Sequence, residues 1–148
     1  MKQTILIRQY QEDDLAGLMS AWESANSLAH PFLCENFVAQ VRRAIPALYI
    51  PNADTWVAEK DGLVVGFIAL LGNEVGAIFV SPIHHGSGIG IKLMDKAHQL
   101  QGNLELEVFT KNKIGRRFYE RYGFDTMVEK HDEASGQRVL RLQYVVKS

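Results

Sequence analysis

The sequence predicts an α/β (α+β) domain built on a mixed, mostly antiparallel sheet of six to seven strands, with one central parallel pair and four flanking helices. Three observations carry this. Short runs that alternate apolar and polar residues are interleaved with runs in which apolar residues recur at three and four, in the order β-α-α-β-β-β-α-β-α-β-β. Asp61-Gly62 and Gly72-Asn73 fold the middle of the chain into three antiparallel strands, because such turns need residues that tolerate positive φ. The glycine-rich turn Gly86-Ser87-Gly88-Ile89-Gly90 then separates a strand from a helix, and a strand, crossover helix, strand unit makes its two strands run parallel.

Thr4 to Tyr10 opens the chain as a strand, with Ile5 and Ile7 alternating against Leu6 and Arg8. Gln11 to Asp14 begins a helix whose apolar positions Leu15, Leu18, Met19 and Trp22 share one face, with Asp13 the expected N-cap. The period is lost from Ala25 to His30, and His30-Pro31 marks a bend, since a residue before proline is pushed out of the helical region. A second helix is expected from Cys34 to Ile45, with Phe37, Val38, Val41 and Ile45 on one side, and Ala47 to Asp54 reads as loop. Strands follow at Thr55 to Lys60, Leu63 to Leu71 and Glu74 to Val80, then a helix from Ile89 to Leu100. Leu104 to Phe109 is the next strand, and Asn112 precedes a short helix from Lys113 to Tyr122 that Gly123 stops. Phe124 to Lys130 and Arg138 to Val145 close the sheet; the Leu140, Leu142, Tyr144 alternation suits either a core face or the seam of a homodimer.

With 148 residues, no internal repeat and no composition shift, the chain is expected to be one domain over residues 1–148. Hydrophobic residues make up 47% and charged residues 22%, which supports a packed core, and no apolar run approaches the ~20 residues of a membrane span. The N-terminal apolar stretch is too short for a secretory signal, so the expected location is cytoplasmic, with no membrane partner. One cysteine, Cys34 between Leu33 and Glu35, allows no internal disulfide and reads as a packed thiol. No two of the five histidines stand at i, i+4, so no metal is expected; a net charge near −1 offers no general field for nucleic acid.

Alternate glycines strip the turn of side chains, so successive backbone N–H groups can converge where a helix begins, which makes an anion cradle. The spacing excludes two common phosphate binders. In the nucleoside-triphosphate loop the lysine follows a glycine and precedes Ser or Thr, whereas Lys92 lies between Ile91 and Leu93; the dinucleotide pattern would put Ile91 or Leu93 at its third glycine. Val80-Ser81-Pro82 followed by His85-Gly86-Ser87-Gly88-Ile89-Gly90 instead resembles the acyl-CoA loop of the Gcn5-related N-acetyltransferases, the GNAT superfamily, with His85 where that family usually has Arg or Gln. A second stretch, Val108 to Asn112 with Gly115, Phe118-Tyr119 and Gly123-Phe124, is similar to that family's Val-x-x-x-Asn-x-x-Ala-x-x-Phe-Tyr-x-x-x-Gly-Phe pattern, with Gly115 for Ala. The element order matches over the whole chain, as expected for a small single-domain bacterial member.

The resemblance implies acetyl-CoA as cosubstrate, its pyrophosphate on Gly86, Ser87, Gly88, Ile89 and Gly90 with His85 beside it. The pantetheine arm is expected along Phe79 and Val80, facing Asn112, whose side chain would serve equally as a helix N-cap. Tyr119 is the expected catalytic acid, protonating the CoA thiolate as the tetrahedral intermediate collapses. The base is open among Glu74, Glu105, Glu107, His30 and water, with Glu74 and His30 the leading candidates; Trp22, His30, Phe32, Tyr49 and Trp56 are candidates for the acceptor wall. The expected reaction is direct attack of a primary amine, on a protein lysine, a protein N-terminus or a small molecule, in a ternary complex. The competing expectation is an acyl-CoA-binding module that transfers nothing.

Overall fold

A computed structural model describes residues 4–147; the expected domain limits at 1 and 148 lie outside the described residues. Among the described residues seven strands form one sheet: β1 (Ile5–Gln9), β2 (Asp54–Lys60), β3 (Leu63–Leu71), β4 (Glu74–Val80), β5 (Leu104–Phe109), β6 (Asp125–Asp132) and β7 (Gln137–Tyr144). Their order is β1-β2-β3-β4-β5-β7-β6, antiparallel throughout except for β4 beside β5. Four helices of ten residues or more flank it, α1 (Leu15–Ala29), α2 (Glu35–Ala44), α4 (Ile89–Gln101) and α5 (Lys113–Tyr122), with a single turn α3 (Ile50–Asn52) before β2. No described helix is long and apolar enough to cross a membrane.

The core is two-layered. On one face Leu18 and Trp22 of α1 meet Val57 and Phe67 of the sheet, together with Ile45. On the other, Ile89, Leu93, Met94 and Ala97 of α4 pack on Ile68, Leu70, Leu104 and Leu106. Leu140 and Leu142 of β7 belong to this second cluster, so that alternation faces the core. Phe67 and Leu93 are essentially sealed from water, and truncating either to Ala costs about 2–5 kcal/mol.

Four local expectations are corrected. Asp14, not Asp13, organises the entry to α1: its carboxylate accepts the Gln11 N–H at 2.8 Å and two bonds from the Arg8 guanidinium, each 2.8 Å, at the end of a 3₁₀ turn over Glu12–Asp14. The Arg8 bonds hold the Asp14 pKa below the usual carboxylate value. Asp14→Asn is therefore expected to lower stability by about 2 kcal/mol at neutral pH. Because the folded pKa is depressed from 3.8, that difference persists above about pH 4 and shrinks as the pH falls further, which denaturant melts at pH 7 and pH 3 would measure.

Second, α1 does not break at Ala25. It runs to Ala29, with the buried stripe Leu18, Ala21, Trp22, Ala25, Asn26 at unbroken helical spacing; the stripe ends in a small and a polar residue, which hid it. Third, the Ala47 to Asp54 region is mostly helical. Pro46 does not stop the chain, because Ile45–Tyr49 opens into a π-turn, closed by the Ile50 N–H on the Ile45 carbonyl. Widening the turn relieves the clash a proline makes with the preceding turn. Fourth, Cys34 is an exposed free thiol at the N-cap of α2, not a packed one.

Candidate active site

The parallel pair barely pairs. Glu74 opposite Glu105 is its single register position, with the Glu105 N–H bonded to the Asn73 carbonyl at 3.0 Å. Two residues later β4 carries a bulge: Ala69 pairs with Ala77 but Leu70 with Val75, leaving Gly76 extra. A bulge bends and twists its strand, and here it turns β4 away from β5, so the two diverge towards Val80 and Phe109. Ser81 donates to the Val65 carbonyl at 2.8 Å; since successive residues of a strand alternate in direction, the Phe79 amide faces β3 and the Val80 N–H and C=O face the gap. That carbonyl accepts a bond from His85 Nε2 at 2.8 Å, so the ring is folded back on the strand end with its proton on Nε2.

At the gap's open end lies the glycine turn. Gly86 and Gly88 have φ of 82° and 85°, and a Cβ on either would meet nothing within 4 Å. Both are thus required by backbone conformation, beside open space. Gly90 has a different reason: it is already helical, and a Cβ there would come within 3.0 Å of the Phe118 ring. Ile89 sends its side chain into the core; what it offers the turn is an N–H without an intrahelical acceptor, as do the other residues opening α4. The Ser87 hydroxyl donates to the His84 carbonyl.

Asn112 caps α5, accepting the Gly115 N–H on Oδ1 at 2.9 Å. Its Nδ2 lies 3.1 Å from His30 Nε2, and His30 Nδ1 lies 2.7 Å from Asn26 Oδ1. His30 therefore stands over the gap, its ring edge-on to Phe79 of β4 at 6.1 Å and to Phe109 of β5 at 5.0 Å, with Phe32 at 5.8 Å. Burial pushes its imidazole pKa down to about 4, so it is neutral at physiological pH. The space that the missing side chain of Gly115 leaves is taken by Asn112, whose Nδ2 lies 2.5 Å from where a Cβ would stand.

Tyr119 packs edge-on against Phe118 and Phe124 at 5.6 and 5.7 Å. Burial raises its phenol pKa, so it holds its proton, and no hydrogen bond engages its hydroxyl among the described residues. Glu74 is not brought to this group: it lies six residues before Val80, about 20 Å along an extended strand, with Arg141 donating to both its oxygens. Glu105 shares that guanidinium at 3.1 Å, and Glu107 pairs with Lys130.

Beside the gap, under α1 and α2, is a cavity of about 170 Å³ lined by Trp22, Phe37, Val41, Tyr49, Phe79 and Phe109 among others, with Asn26 and His30 contributing hydrogen-bonding side chains and, among the described residues, no carboxylate. Of the candidates for the acceptor wall, Trp22, His30 and Tyr49 line this cavity. Trp56 does not: it packs on the α4 side, under Lys96. Phe32 stays at the rim against His30 and Phe109. A larger cleft of about 290 Å³ between Arg116, Glu120 and the β6–β7 pair is lined by Phe124 of the second motif but by no residue of the glycine turn, nor by His30, Asn112 or Tyr119. Sequence reasoning missed Asn26, although it stands one helical turn before His30; it lay where α1 was expected to end.

A family model described as an acetyltransferase (GNAT) domain matches residues 51–126. The chain is 33% identical over 120 residues to the peptidyl-lysine N-acetyltransferase YiaC of Escherichia coli (strain K12), covering 80% of this chain and 82% of that protein. To the peptidyl-lysine N-acetyltransferase YjaB of the same organism it is 28% identical over 145 residues, 95% of this chain and 97% of the other. The solution structure of apo YjaB from Escherichia coli superposes with a TM-score of 0.86 at 26% identity, over 96% of this chain and 98% of that one.

Proposed function

The chain belongs to the GNAT acetyltransferase superfamily and is an acetyl-CoA-dependent N-acetyltransferase, and from that premise we propose that its acceptor is the side-chain amine of a protein lysine. The cavity beside the gap carries this reading. An alkyl stem is stabilised by its apolar lining, whereas a polycationic small amine would bring a second charge into a space without a carboxylate, at a cost of several kcal/mol. The relatives named as peptidyl-lysine acetyltransferases point the same way.

In this reading the pyrophosphate rests on the amides of Gly86 to Gly90 and the pantetheine amides pair with the free edge of β4, as an added strand would. The lysine nitrogen, unprotonated, attacks the thioester carbonyl. Its oxyanion is held by the Val80 N–H, the C–S bond breaks, and Tyr119 gives its proton to the departing sulfur. The attacking nitrogen's proton leaves to water, since Glu74 is engaged with Arg141 at the far end of β4. The cytoplasm is the compartment we assign, in keeping with the unpaired, exposed Cys34.

Thiol release from acetyl-CoA, followed with an N-terminally blocked lysine peptide, a lysine-free peptide with a free N-terminus, and spermidine, tests the acceptor. Turnover is expected with the first, and acetylation of the α-amine or spermidine alone would overturn it. Glu74→Gln is expected to keep kcat within about threefold, against the 10²- to 10⁴-fold loss typical when a general base is removed.

A further inference from the structure

We propose that His30 is a positioning residue: held as the Nδ1–H tautomer, it fixes the Asn112 amide at the edge of the gap, and Gly115 provides the room in which that amide sits. The chain of bonds has one consistent direction. The Gly115 N–H can only donate, so the Asn112 atom it reaches at 2.9 Å is the oxygen, and the atom facing His30 at 3.1 Å is the NH₂. His30 Nε2 must then accept, which leaves the proton on Nδ1, where the Asn26 oxygen takes it at 2.7 Å. Asn26 and Asn112 are both buried, and they come from α1 and from the start of α5, so the imidazole ties the acceptor wall to the donor-side motif. Among the described residues every partner of the ring is an amide or an aromatic edge, from Phe32, Phe79 and Phe109, and no carboxylate is hydrogen-bonded to it to stabilise an imidazolium. A nitrogen whose lone pair is already engaged, in a setting that disfavours the cation, is placed to orient and not to take a proton. The second N–H of Asn112 stays free for a carbonyl of the donor arm.

Gly115 is what makes the arrangement possible. A Cβ there would stand 2.5 Å from Asn112 Nδ2 and 3.0 Å from its amide carbon, so an alanine would push the amide off both the cap and the imidazole.

This proposal rests on the acetyltransferase reading, and the experiment separates the two. In the wild-type protein, ¹⁵N shifts of His30 should report a neutral ring with protonated Nδ1 from pH 5.5 to 8, a readout independent of turnover; an Nε2–H ring or a mid-range titration would overturn the proposal. In kinetics, His30→Ala should raise the acetyl-CoA KM about tenfold with kcat within threefold and the pH profile unmoved. His30→Gln, whose amide oxygen can replace Nε2 as acceptor, should recover most of that. Gly115→Ala, which does not touch His30, should give the same KM rise, and its combination with His30→Ala should be no worse than either alone. A hundredfold fall in kcat for both His30 variants with loss of a pH limb would make His30 the base, and additive KM effects would break the link to Gly115. Absence of transfer by the wild type would defeat the function and leave the ring assignment to the ¹⁵N shifts.

Discussion

Tyr119→Phe is expected to lower kcat about 10²- to 10³-fold, the range for loss of a positioned general acid, with the acetyl-CoA KM within about threefold. The substitution removes one oxygen and nothing else. The ring's edge contacts with Phe118 and Phe124 are kept, and no protein hydrogen bond to the hydroxyl is lost among the described residues, so the fold and the donor site should stand. Burial holds the phenol above its ordinary pKa of 10, so wild-type kcat should not fall on the alkaline side below that value. The pH dependence should instead rise with deprotonation of the lysine amine. Unchanged kcat at saturating substrates would remove Tyr119 from the chemistry.

Gly88→Glu is expected to weaken acetyl-CoA binding by at least about 100-fold, through like-charge repulsion of the diphosphate and the bulk of the side chain at the start of α4. Gly88 has φ of 85° at the N-cap of α4, so any side chain there costs about 1–2 kcal/mol of backbone strain. Gly88→Ala carries that strain without the charge, in a space empty to 4 Å. It should therefore lower Tm but bind the donor nearly as well, and the gap between the two variants measures the anion site itself. Equal affinities for Glu and Ala would mean that no diphosphate sits there.

Much of this was legible in the sequence because its signals are local. The Asp61-Gly62 and Gly72-Asn73 turns dictate the meander, and Gly86 and Gly88 adopt the positive φ that a glycine turn implies. What escaped depends on tertiary geometry. The bulge at Gly76 that opens the gap shows only when β3 and β4 are set in register. The continuation of α1 past Ala25 was hidden because its last buried positions are Ala25 and Asn26, and with it went the Asn26 partner of His30. Glu74 was attractive by strand position, but Arg141, 67 residues away along the chain, takes up its carboxylate. Ala47 to Asp54 read as loop because the π-turn over Ile45–Tyr49 has no sequence signature of its own.

In the proposed complex a diphosphate is held by the amides of the glycine turn, with the thioester arm lying between β4 and β5. A ¹⁵N-edited titration with acetyl-CoA tests this most directly. Saturable shifts are expected at the amides of Gly86 to Gly90, at Val80 and at the Asn112 side chain, with little change at Thr126 or Glu129 on β6. Shifts centred on β6 and the Arg116 cleft, with the glycine amides unmoved, would contradict it.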